Sequence, residues 1–323
     1  MPATGIVHIT LHCDARARCV DAARVTLQRP SVARLLIGRA PDEAAELVRA
    51  LHAVCGAAHR LAARRAIRDA RRAGTAADHG SPGPRPVRPD DAAEAWDRME
   101  REALVGIAFD HLCRLYIDWP AALELPVQPA EVVAWRRRFA DPPGAIRDGD
   151  IDAVRRHAHA LTEVVPAAAG IRRRLRRRAR ETLVGLTAIK LEPERPGKIR
   201  RIVTPAAGAA TRGAGASTGD GPWHGEGRTL TARGELIHRV SLVRDAQGRE
   251  AVAAWTIDAP TDRLFVPDGP VAHALTQLRG DRSSLQRLAR FVVLSFDPCV
   301  ESRIELRPPE AADARDVARP GNP

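Results

Sequence analysis

Residues 51–66, "LHAVCGAAHRLAARRA", set one cysteine between two histidines in a segment that otherwise reads as a helix of alanine, leucine and arginine. Cys55 and His59 stand one helical turn apart, a spacing at which side chains meet on one face. The spacing fits a metal site, and it fits a small buried thiol with polar neighbours equally well. Upstream, Pro41 followed by Asp42 and Glu43 marks a helix start, because proline suits the first turn and acidic residues complement the positive end of the helix dipole. A helix or helix pair is predicted over residues 41–73, with the quoted stretch in its middle. Further upstream, "GIVHITLHC" alternates with period two and places Val7, Ile9, Leu11 and Cys13 on one face. "RCVDAARVTLQ" is its strand partner, so the chain is predicted to open with a hairpin.

Downstream, residues 74–90 carry too much glycine and proline for a regular element and read as a flexible loop. A long helix follows from Ala92 to Ile117, with Trp96, Met99, Ala103 and Ile107 on one stripe, and Pro120 is expected to end it. Further helices are predicted at 128–140 and 149–190, the second broken near Pro166. Within it, "IRRRLRRRAR" at 171–180 repeats Ile171, Leu175 and Ala179 every four residues, which is a buried stripe beneath a solvated arginine face. A second flexible loop is expected at 205–228, then strands in "ELIHRVSLV" and "AVAAWTI". A helix from Ser284 to Leu294 runs into "SFDPCVES". There the proline forces Asp297 out of the helical region, so Cys299 sits just past a stiff turn.

With 323 residues and 44% hydrophobic content, the chain can bury a substantial core. Its net charge of +11 is nearly all arginine, since Lys190 and Lys198 are the only lysines. That charge reflects a biased composition and carries little functional weight. Aromatic residues make up only 3%, too few to stack on bases, so no nucleic-acid partner is expected. No run of eighteen apolar residues and no unbroken apolar leader is present, so no membrane partner is expected and the location is read as cytoplasmic. The five cysteines form no Cys-x-x-Cys pair, which argues against a disulfide framework and against a zinc finger.

Taken together and in order, these segments resemble the large subunit of the nickel-iron hydrogenases. In that family an N-terminal Cys-Gly-x-Cys-x-x-x-His and a C-terminal Asp-Pro-Cys-x-x-Cys-x-x-His supply four thiolates to nickel and an Fe(CN)2CO unit. "SFDPCVESRIE" is similar to the second motif, with Asp297, Pro298 and Cys299 kept, Ser302 at the second cysteine and Glu305 at the histidine. For the first motif, alignment on Cys-Gly makes Cys55 the first ligand. Alignment on "HRLAARRA" makes it the second, with His59 the motif histidine and His52 in place of the first cysteine. The second register is preferred, because "LLIGRAPDEAAELV" then also resembles the family's Gly-Arg-Asp-Pro segment without a gap. "TARGELIHRVSLV" is similar to Pro-Arg-Gly-x-x-x-His, which makes Arg233 the arginine beside the cyanides, with Ala232 in place of the proline. In "TGIVHI", Thr4 stands where the family has its proton-relaying glutamate. "DHLCRLYIDWP" resembles the end of a central helix in a depleted subfamily.

The resemblance implies an α+β, mainly α fold: a helical bundle with small peripheral β elements from the N- and C-terminal parts. It would form one domain over residues 1–305, followed by a disordered tail at 306–323 that stays attached. With two cysteines where nickel prefers several soft thiolates, and no relay glutamate, neither nickel binding nor hydrogen turnover is expected. What the resemblance implies instead is a maturation scaffold of the HupK/HoxV type. Cys55 and Cys299 would hold the Fe(CN)2CO unit, with Arg233 and Asp297 beside it and His52 and His59 as candidate further ligands. The implied partners are a small chaperone complex that delivers the iron and the hydrogenase large-subunit precursor that receives it. A metal-free chaperone of that precursor is the rival reading. Because Cys299 corresponds to a terminal nickel ligand and not to an iron-bridging one, the iron would have to shift or be held differently.

Overall fold

In the computed structural model, residues 5–14, 18–77, 89–140, 146–191, 198–205 and 222–308 are described. The chain opens with the predicted hairpin, β1 (Ile6–Cys13) against β2 (Val20–Gln28), antiparallel with Val7 opposite Leu27. Period-two alternation puts Val7, Ile9, Leu11 and Cys13 into the core. The predicted helix pair is α1 (Pro41–Leu51) and α2 (Gly56–Ala77), broken at residues 52–55. Cys55 therefore lies in a turn between two helices, a correction to its placement on a helix. Gly56 permits this turn: a Cβ there would stand 2.4 Å from the Arg49 carbonyl oxygen.

Next comes α3 (Pro89–Cys113), and Pro120 does not end it. The helix widens into a π-turn at Arg114–Asp118 and continues as α4 (Trp119–Ala122). Proline lacks an N–H and crowds the carbonyl four residues earlier, here that of Tyr116. That carbonyl instead accepts from the Gln128 amide at 2.8 Å. Its neighbour, the Leu115 carbonyl, accepts from His157 Nε2 at 2.9 Å, so the widened turn leaves both satisfied.

The chain then forms α5 (Pro129–Ala140), α6 (Asp148–Val164), α7 (Ile171–Leu191) and α8 (Lys198–Val203). Ile171, Leu175 and Ala179 are buried on α7, as their period demands. The arginine face is only partly solvated, because Arg178 is buried as well and Arg174 Nε donates to Ser295 Oγ at 2.7 Å.

A second sheet, β3 (Trp223–Thr231), β4 (Gly234–Arg244) and β5 (Glu250–Asp258), is an antiparallel meander. β3 begins inside the stretch expected to be a loop; residues 206–221 of that expectation lie outside the described residues. α2 lies directly on β3. A Cβ on Gly225 or Gly227 would stand 2.1 Å from the Ala66 carbonyl oxygen or 2.0 Å from that of Ala62, so only glycine allows the helix so close. The other expected loop shrinks as well: residues 74–77 and 89–90 are helical, and 78–88 lie outside the described residues.

Short helices α9 (Pro260–Leu264) and α10 (Pro270–Thr276) lead to α11 (Arg282–Phe296), whose N-cap Asp281 accepts from the Ser284 amide at 2.8 Å. The last strand, β6 (Glu301–Arg307), runs parallel to β1 with Val7 opposite Ser302, completing the sheet order β2-β1-β6. The tail predicted from residue 306 is thus corrected, since Leu306 and Arg307 are strand; residues 309–323 lie outside the described residues. Among the described residues no helix is long and apolar enough to cross a membrane.

Candidate metal-cargo site

At the end of α11 the chain leaves the helix through Asp297, whose backbone is left-handed (φ 60°, ψ 67°). Pro298 follows, and Cys299 comes just before β6. The Asp297 side chain is 2% exposed and faces three guanidiniums: Arg114 Nε at 2.6 Å, Arg178 Nη1 at 2.8 Å and Arg233 Nη2 at 3.2 Å. Burial alone would raise its carboxyl, but the three cations outweigh that and hold it below the usual carboxylate range. Arg233 sits with Ala232 in the two-residue loop joining β3 to β4, where Thr231 pairs with Gly234. Its Nε donates to the Asp297 backbone carbonyl at 2.7 Å. The Ala232 carbonyl accepts from Arg178 and from His111 Nε2, the latter at 3.1 Å.

Asp110 faces the same arginine: Arg233 Nη2 donates to its Oδ1 at 3.3 Å. Arg233 Nη1 lies 3.1 Å from Asp110 Oδ2 but out of line for a hydrogen bond, so both atoms are buried without a hydrogen-bond partner. Burial, against the pull of Arg233, raises the Asp110 carboxyl. These groups border a cavity of about 20 Å³ that Cys55, Asp110 and Arg233 share.

On its other side Cys55 opens onto a second cavity, of about 50 Å³, shared with Cys299, His52, Arg29, Val54 and Val300. One water needs roughly 10–15 Å³ on this measure, so the space exceeds a single water. The two cysteines, at positions 55 and 299, thus face one opening. Their environments differ. Burial, and then the neighbouring Cys299, push the Cys55 thiol up to about 12. Cys299 Sγ is contacted by Arg29 Nη2 at 3.0 Å and by Thr261 Oγ1 at 3.3 Å. A guanidinium can only donate, so this sulfur is the acceptor of the Arg29 bond.

His52 caps the C-terminus of α1 and shares the second cavity. Its Nδ1 donates to the Val48 carbonyl at 2.9 Å, which leaves Nε2 as the lone-pair nitrogen, and burial lowers its pKa. His59 lies behind it, stacked ring on ring at 3.6 Å, and borders neither cavity. Trp255 Nε1 donates to His238 Nδ1 at 3.0 Å; His238 Nε2 then donates to His59 Nδ1, also at 3.0 Å. Since indole only donates, this series fixes both tautomers and makes His59 a support for His52.

Ser302, on β6, is half-buried. Glu305 is exposed and paired with Arg307 at 2.8 Å, so it points away from the cavities. Thr4 lies outside the described residues. Among the described residues no group of three or more His, Cys, Asp or Glu is gathered as metal ligands would be. Sequence reading singled out neither Arg29, Arg114 and Arg178 nor Asp110 and Thr261; one arginine among 51 basic residues carries no local signal. His238 stood at the histidine of the "ARGELIH" motif, which was its available signal.

No family model matches the chain. Its fold is that of the nickel-iron hydrogenase large subunit. The nickel-iron-selenium hydrogenase of Desulfomicrobium baculatum superposes with a TM-score of 0.55 over 91% of this chain and 99% of that one, at 11% identity. That of Desulfovibrio vulgaris Hildenborough superposes with a TM-score of 0.52 over 92% and 98%, at 12% identity. In sequence, the chain is a homologue of hydrogenase expression/formation proteins. It is 32% identical over 191 residues to HupK of Rhizobium leguminosarum bv. viciae, covering 57% of this chain and 46% of the relative. To HoxV of Cupriavidus necator it is 41% identical over 75 residues, 23% of this chain and 19% of the relative. The matched stretches span less than half the length of these curated relatives.

Proposed function

We propose that this chain is a non-catalytic maturation factor for nickel-iron hydrogenase, which receives Fe(CN)2CO as cargo between Cys55 and Cys299 and passes it to the large-subunit precursor. A small chaperone complex delivers the iron, in the cytoplasm, and nickel takes no part. The observation that carries this reading is the shared cavity: two thiols from distant segments open onto one space that has the Arg29 guanidinium in its wall. Thiolates are good donors to low-spin iron, and guanidinium N–H groups suit cyanide nitrogen. The names of the relatives support a role in hydrogenase formation.

The rival reading is a chaperone that never touches metal; burial raises the Cys55 thiol, which works against the thiolate that iron takes as a ligand. Infrared spectroscopy separates the two. Protein purified anaerobically from cells making the maturation machinery is expected to show CO and cyanide stretching bands. Their absence, with normal bands in the donor complex from the same cells, overturns the iron reading and leaves the metal-free one.

A further inference from the structure

Resting on that reading, we infer that Arg29, and not Arg233, is the guanidinium that faces the cyanide ligands of the cargo. The two cavities divide the labour. Arg233 borders only the smaller one, which Cys299 does not reach, and it is bound to Asp297 and Asp110. The space that both sulfurs share has Arg29 as the arginine in its wall. Cargo held by Cys55 and Cys299 together therefore lies on the Arg29 side of Cys55.

Arg29 is built to stay there. Its backbone is pressed against Gly5, where a Cβ would stand 3.1 Å from the Arg29 Cα and 2.4 Å from the Gln28 carbonyl oxygen. Its Nη1 pairs with Asp262 at 3.1 Å and its Nη2 donates to Cys299 Sγ at 3.0 Å. Guanidinium has five N–H donors, and these two bonds leave others for a ligand. The side chain is 19% exposed, so its charge is less screened than that of a surface arginine. An iron carrying two cyanides and two thiolates is an anion, which such a cation complements. The arrangement also answers the departure from the family ligand set: with Cys299 in place of an iron-bridging cysteine, the cargo is displaced and a different arginine meets it.

Infrared spectra and iron content of the wild type, Arg29→Met, Thr261→Val and Arg233→Lys test this. A hydrogen bond on cyanide draws electron density from the iron, so Arg29→Met is expected to retain iron while its cyanide bands move and its CO band falls. Thr261→Val removes the other polar contact to the same sulfur and measures the effect transmitted through Cys299; it is expected to shift the bands less than Arg29→Met does, an equal shift overturning the inference, and Arg233→Lys is expected to leave the cyanide bands in place. Cyanide bands that stay put in Arg29→Met, or that move only in Arg233→Lys, overturn the inference. If Arg29→Met loses its iron, Arg29→Lys is read instead: restored iron with displaced cyanide bands supports the assignment, and unrestored iron overturns it. A wild type with iron but no CO or cyanide bands overturns the proposed function itself, and the inference with it.

Discussion

His111, His59 and His238 are fully enclosed imidazoles, and each is held neutral for the same first reason, burial. His111 and His238 are pushed down to about 3, and His59 falls well below its ordinary value. A histidine whose pKa is lower folded than unfolded binds its proton only on unfolding. Its contribution to stability is complete above the unfolded value of 6.5 and is lost as pH falls from there toward the folded value. The Asp297 carboxyl, also lowered, adds a loss in the same direction at more acid pH. Stability by urea unfolding is therefore expected to decline between about pH 6.5 and 5, by about 1.4 kcal/mol per pH unit for each such histidine. Replacing His111 with Asn should flatten the slope by about one proton relative to the wild type. An unchanged slope would mean that His111 is protonated in the folded protein.

Among the elements, the contact of α2 with β3 sets how far Cys55 lies from Arg233, because the first follows α1 at the head of α2 and the second lies in the loop that follows β3. That contact depends on Gly225 and Gly227. Gly227→Ala forces a methyl group into the helix backbone and is expected to cost about 1–3 kcal/mol or more. Gly106→Ala, in α3 with nothing within 4 Å of the added carbon, is expected to stabilise by about 0.5–1 kcal/mol. Thermal unfolding of both variants checks the pair; equal shifts would refute the close approach. The same elements show what was legible in the sequence. Period two in β1 and period four in α7 translate directly into burial, because a regular element repeats its exposure. β3 was missed because its glycines, read as loop formers, serve contact with a helix far away in sequence. The passage of α3 through Pro120 was missed because it depends on Gln128 and His157 from other segments. For the same reason Asp297 and Arg233 could be named through family motifs, whereas Arg29, Arg114 and Arg178 acquire meaning only when the fold brings them to Asp297 and Cys299.

Over the whole molecule, the parallel pairing of β1 with β6 joins the beginning of the chain to its end and carries Cys299 to the turn that holds Cys55. Within the hydrogenase large-subunit fold, Ser302 stands on β6, Glu305 faces solvent, and buried guanidinium groups close on Asp297. The central claim is that two sulfurs grip one cargo, and iron retention in the cysteine variants tests it most directly. Cys55→Ala and Cys299→Ala, each purified anaerobically beside the wild type, are predicted to lose bound iron and the CO and cyanide bands while keeping the wild-type helical circular dichroism. Iron at wild-type level in both folded variants would contradict the account.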